Sequence, residues 1–140
     1  YFSQRLAWCY GDLNIILLLY RAAAQVREPR WKEMADKLAE QVMERTDVAS
    51  TLATDAHFCH GTAGLAQFYK KLYTLTTDQR FKRVAEYWID QTIKHMETAL
   101  KENFYAGKEC DLLEGLVGIN LALLSFTCKK ELTWSKLLLL

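Results

Sequence analysis

The sequence predicts an all-α protein whose helical hairpins stack side by side into a partial ring. Three observations carry this reading. The 140 residues contain one proline and six glycines, so few positions interrupt regular structure. Apolar residues recur at i, i+3 and i+4 along most of the chain, the period of a helix, and no stretch reads as a strand. A short motif returns three times: CYGDLNIILLLY from Cys9, CHGTAGLAQFY from Cys59 and LEGLVGINLALL from Leu113, at intervals of 50 and 54 residues.

The elements follow in order. Leu13 to Ala24 is apolar on nearly every side, as a helix enclosed by other helices is. Pro29 suits a first helical position. From there to Arg45, residues Trp31, Met34, Ala35, Leu38, Ala39, Val42 and Met43 form one apolar stripe opposite charged residues. Ala63 to Leu75 is a second enclosed segment. Thr77 is the expected N-cap of the next helix, whose face of Phe81, Val84, Ala85, Trp88, Ile89, Met96 and Leu100 is amphipathic. Leu116 to Cys128 is the third enclosed segment, and Trp134 with Leu137 to Leu140 is expected to pack as a short final helix.

A hairpin of one enclosed and one solvated helix cannot bury itself, so such units stack. Each unit has glycine at its third motif position and glycine or asparagine three residues later: Gly11 with Asn14, Gly61 with Gly64, and Gly115 with Gly118. Small residues at helix contacts are common, but three occurrences in register are a repeat. The chain supplies two to three hairpins.

Composition narrows the function classes. Apolar content of 51% supports a single core, expected to span residues 1–140. A net charge of +1, from 18 basic and 17 acidic residues, gives no field that would favour nucleic acid or an anionic membrane. The longest apolar run, Ile15 to Tyr20, falls far short of the roughly 20 residues that span a bilayer. The opening YFSQRLAWCYG lacks the pattern of a secretory signal, so a cytoplasmic setting is expected. An opening Tyr1 without methionine, followed at once by apolar sequence, suggests part of a longer chain. The four cysteines do not suggest a disulfide scaffold, because Cys9 and Cys59 each sit directly before a helix start.

Equivalent inner helices of such a ring run parallel, so the loops feeding their N-termini share one rim. Cys9, Cys59, His60 and Glu114 should therefore gather there. Two thiolates and an imidazole suit Zn²⁺, and three protein ligands leave a fourth tetrahedral position open, as in catalytic sites. A substrate thiol taking that position would be held as thiolate. A lone Cys9 would be read as packing, but Cys59 followed by His60 at the same repeat position favours a metal. Tyr10 and Glu114, at the second position of their units, are candidates for substrate binding, although a glutamate there also suits a helix N-terminus. His57 could approach from the preceding loop as a ligand or proton carrier, although a loop histidine is more often simply solvated. His95, Cys110 and Cys128 fall outside the ligand positions and are assigned to surface or core.

The strings AWCYGDL from Ala7, FCHGTAGL from Phe58 and LLEGLVGINLALLS from Leu112 resemble the successive motifs of the lanthionine synthetase C-like family, over essentially the whole chain. The resemblance implies the carboxy-terminal portion of an α/α toroid and one Zn²⁺ on Cys9, Cys59 and His60. It implies a cyclase in which a peptide cysteine, activated on zinc, adds to dehydroalanine or dehydrobutyrine and closes a thioether ring in lanthipeptide (lantibiotic) biosynthesis. The expected partner is a dehydrated precursor peptide, together with a missing amino-terminal half or a dehydratase. The family's acid–base residues lie upstream of Cys9, so the proton donor is expected outside these residues and the isolated piece is expected to be inactive. Asn14 departs from the glycine that the family more often has. Two alternatives stay open: a zinc protein that binds glutathione or a peptide thiol without making rings, and a structural zinc site closed by a fourth ligand such as His57.

Overall fold

A computed structural model describes residues 5–130 and 132–140. Six α-helices occupy them: α1 Asp12–Val26, α2 Pro29–Met43, α3 Val48–Thr51, α4 Thr62–Thr76, α5 Gln79–Lys101 and α6 Leu116–Thr127, followed by a 3-10 segment, Thr133–Leu138. No strand occurs among the described residues. Helices α1 and α2 pack as one hairpin and α4 and α5 as a second, while α4 also contacts α6 on one side and α1 on the other. The three motif helices thus lie side by side with α4 in the middle.

That position explains a difference between expectation and structure. The sequence suggests three enclosed helices, but only α4 is buried continuously, from Thr62 through Tyr69 and again at Leu72. Helix α1 exposes Ile15 and Leu18, and α6 exposes Leu124, because each has one neighbouring motif helix among the described residues. The amphipathic helices also depart from their expected stripes at the edges. Trp31, Met34 and Leu100 are exposed, whereas Ala35, Ala39, Val42, Phe81, Ala85, Trp88, Ile89 and Met96 are buried.

Helix ends follow local chemistry. Pro29 stands first in α2, as expected, behind a Glu28 cap whose side chain accepts from the Arg30 N–H. Thr77 does not cap α5. It closes α4 in the left-handed region, φ 59°, and Asp78 is the N-cap, its carboxylate accepting the Arg80 N–H at 2.8 Å. The more strongly capping aspartate, one residue on, takes the role.

The repeat has a shared physical basis. A Cβ at Gly64 would collide with the Phe58 carbonyl oxygen, and one at Gly118 with the Leu112 carbonyl oxygen. In each unit the oxygen belongs to the residue just before the motif, which folds tightly over the first turn of its helix. In the first unit the equivalent oxygen is that of Trp8, and Asn14 reaches it with its side-chain amide at 2.8 Å. Asn14 therefore replaces close backbone approach with a hydrogen bond while itself staying helical. Gly11, at φ 103°, is the motif glycine whose backbone disfavours any side chain.

The terminal segment ties the ends together. The Trp134 indole N–H donates to Ser125 Oγ on α6 at 2.9 Å, and its ring meets Phe58 edge-on with centroids 5.3 Å apart. The Trp8 indole N–H donates to the Leu138 carbonyl at 2.9 Å. Leu140 is buried, whereas Leu137 and Leu139 are exposed.

Candidate metal centre

The loops before α1, α4 and α6 meet edge to edge on one rim. The Trp8 N–H donates to the Cys59 carbonyl at 3.0 Å, and the Cys59 N–H donates to the Leu113 carbonyl at 2.9 Å. These bonds lock the three motif openings together, so residues 50 and more apart in sequence share one small surface.

Cys9 lies close enough to Cys59 to bear on its ionisation. Cys9 is exposed and Cys59 half-buried. The Cys59 thiol is pushed up to about 12 by burial, then by Cys9 and by the negative charges of Glu114 and Asp111. Glu114 is thus close enough to be felt at Cys59, and it also lies 3.6 Å from Lys108 Nζ. Asp111 turns the loop before α6, its Oδ1 accepting the N–H groups of Leu113 at 2.7 Å and Glu114 at 3.0 Å. Tyr10 is exposed on the same rim.

His60 faces a different set of neighbours. Its Nε2 lies 3.4 Å from His57 Nδ1 and 3.9 Å from Asp55 Oδ2, and His57 Nδ1 lies 3.2 Å from Asp55 Oδ1. Among the described residues, Asp55, His57 and His60 form the one group of His, Cys, Asp or Glu whose ligand atoms all lie within 4.8 Å of each other. The structure therefore groups His60 with Asp55 and His57, and Cys9, Cys59 and His60 do not form such a group among the described residues.

Two thiols and an imidazole on one rim are donor types that a soft divalent cation takes. The Cys59 thiol, raised by burial and by nearby negative charge, resists ionising, and a bound cation is the charge that would offset this. An open cleft of about 350 Å³ starts beside Cys9, bounded by Trp8, Asn14, Leu17, Leu18 and the terminal leucines. A larger cleft, about 1070 Å³, is at the opposite ends of the same helices. There Tyr20 bonds Asp36, and Arg80 bonds Asp78 and Glu40.

The family model for lanthionine synthetase C-like protein matches residues 1–139. The chain belongs to the lanthionine synthetase C-like family. Its all-helical hairpins are accordingly an arc of that family's α/α toroid. No curated protein matches the chain. For this LanC-like chain, no helix among the described residues is long and apolar enough to cross a membrane.

Asp55 is the site residue that sequence reasoning missed, and His57 is more closely engaged than a solvated loop histidine. The spacing Asp55, His57, His60 offered a signal, since a loop folding back on itself can converge alternate polar side chains. Burial decided it: His57 is 5% exposed and walled by Phe104 and Tyr105, aromatics that a one-dimensional reading cannot place.

Proposed function

We propose that residues 1–140 are the carboxy-terminal portion of a cytoplasmic LanC-like cyclase domain that holds Zn²⁺ on Cys9, Cys59 and His60. The observation that carries this reading is that the loops bearing Cys9 and Cys59, 50 residues apart, are joined edge to edge by the Trp8 N–H donating to the Cys59 carbonyl at 3.0 Å, at the shared rim of the motif helices.

Bound there, Zn²⁺ would supply the positive charge that keeps an incoming cysteine thiol ionised at neutral pH. The chain's own residues supply the rest. Cys9, exposed and next to the cleft, defines the side from which a dehydrated precursor peptide approaches. In the overall reaction a peptide sulfur bonds the β-carbon of dehydroalanine or dehydrobutyrine, the carbon–carbon double bond is lost and the α-carbon takes a proton. Tyr10 and Glu114 flank the thiols and are assigned to hold the peptide. The acid that delivers the proton is assigned to sequence upstream of Cys9, and an amino-terminal half of the domain or a dehydratase is the further partner, so these residues alone would bind metal without turning over.

Zinc stoichiometry and affinity in the wild-type chain and in Cys9→Ala, Cys59→Ala and His60→Ala test the reading. About one zinc per chain, lost in each variant, supports it. Zinc retained by all three variants rejects it.

A further inference from the structure

We propose that the groove leading from Cys9 along α1 to Arg21 is a specificity subsite for the peptide substrate. It takes apolar residues next to the reacting cysteine and an aspartate or glutamate side chain about three residues away. This rests on the zinc reading above.

Cys9 and Arg21 line the same cleft of about 350 Å³, a volume within the range of ligand pockets. Helix α1 sets their separation. Asn14 stands in its first turn and bonds the carbonyl of Trp8, the residue before Cys9. Leu17 and Leu18 follow one turn on, and Arg21 one turn beyond them, so all four residues border the cleft. The rise from Asn14 to Arg21 is about 10 Å. About three residues of extended peptide cover that distance.

The middle of the groove is apolar and its far end is cationic. Leu18 and Leu139 are exposed on its walls, and apolar side chains laid against them would leave water. Arg21 also borders the larger cleft, but its Nη1 donates to the Leu139 carbonyl at 2.7 Å, which ties the guanidinium to this groove. That bond uses one of five N–H donors. Arg80 shows the contrast: it pairs with Glu40 and Asp78, whereas Arg21 meets no carboxylate among the described residues. A planar fork of free donors at the end of an apolar path is complementary to a carboxylate. A helix of the same protein laid in the groove would cover Cys9 too and shut the open metal position that the reaction needs. The peptide is therefore the occupant.

The test follows sulfur-to-cobalt charge transfer as the cobalt(II)-loaded full chain is titrated with capped thiol peptides. The probes are acetyl-Cys-Leu-Leu-Glu-amide, acetyl-Glu-Leu-Leu-Cys-amide and the same two with glutamine for glutamate. In one of the two orders the glutamate peptide should bind about two- to fivefold more tightly than its glutamine twin. The preference should fade with added salt, disappear in Arg21→Gln and persist in Arg21→Lys. Methyl NMR signals of Leu17 and Leu18 should move as the peptide binds. The comparison of peptides on the wild type needs no variant, so a misfolded Arg21→Gln leaves the decision intact. Equal binding of glutamate and glutamine peptides in both orders, a preference that survives Arg21→Gln, or unmoved leucine methyls would each overturn the inference. Methyl signals that change with protein concentration alone would give the groove to a second copy, and a response lost in a chain extended upstream would give it to that extension; either overturns it. These outcomes, with thiol still entering the cobalt sphere, reject only the subsite. Charge transfer indifferent to every thiol peptide rejects the zinc reading and takes this inference with it.

Discussion

The two rims of the helix layer use the same chain differently. At the rim where α1, α4 and α6 begin, the connections are longer, and thiols and imidazoles meet there. At the opposite rim, α1 turns into α2 and α4 into α5 within a few residues. Arg27 and Thr77 close the helices in the left-handed region, and Asp36, Glu40, Asp78 and Arg80 bond among themselves or with Tyr20. The opposite rim's tight turns and closed ion pairs support the fold, and the loops of the first rim can carry chemistry because backbone bonds between the motif openings hold their shape.

The contrast makes changes at the two rims separable. The largest effect should come from Cys59→Ala, which lowers zinc affinity by roughly 100-fold or more, beyond the 10–100-fold typical of outer-shell changes. Isothermal titration against a competing chelator would show this, while the thermal midpoint of the metal-free protein stays nearly unchanged. Next is Gly118→Ala, which drives a methyl group into the Leu112 carbonyl and the side chain of Phe58. Overpacking of this kind costs about 1–3 kcal/mol, measurable by urea unfolding, and should disturb the rim along with the core. A third change belongs to the far rim alone. Thr77→Gly relieves a left-handed β-branched residue and should stabilise the chain by about 0.5–1 kcal/mol, with zinc affinity unaltered.

The smallest effect concerns Asp36. Burial raises its carboxyl, but hydrogen bonds from Lys32 and Tyr20 outweigh this and hold it below the ordinary value. A depressed folded-state value contributes stability above the unfolded value of about 3.9, and that contribution is lost as pH falls through the folded one. Asp36→Asn should therefore cost about 0.5–1 kcal/mol at neutral pH, and the gap to wild type should close on acidification. Urea midpoints across pH 7 to 2.5 would show it.

The fold was legible because its signals are periodic. Motif helices, their order and the small-residue pair all repeat, and each reflects a contact that recurs in space. Thr77 and Asp78 were misread because a helix end and a helix start lie one residue apart, and only the backbone shows which residue serves which. That the loops bearing Cys9 and Cys59 lie side by side could be read from their common repeat position. The engagement of His60 by Asp55 and His57 could not, since it depends on a loop folding back within itself and on Phe104 and Tyr105 arriving from the far end of α5. Asn14 was recognised as a departure, but its bond to the Trp8 carbonyl needs the fold to be seen.

The most direct measurement of the central claim is zinc X-ray absorption on the metal-loaded chain, with and without an added small thiol and beside Cys59→Ala. A sphere with two sulfurs that gains a third when thiol is added, and loses one in the variant, is the predicted result. A sphere of nitrogen and oxygen ligands, or one that ignores both the thiol and the substitution, would contradict it.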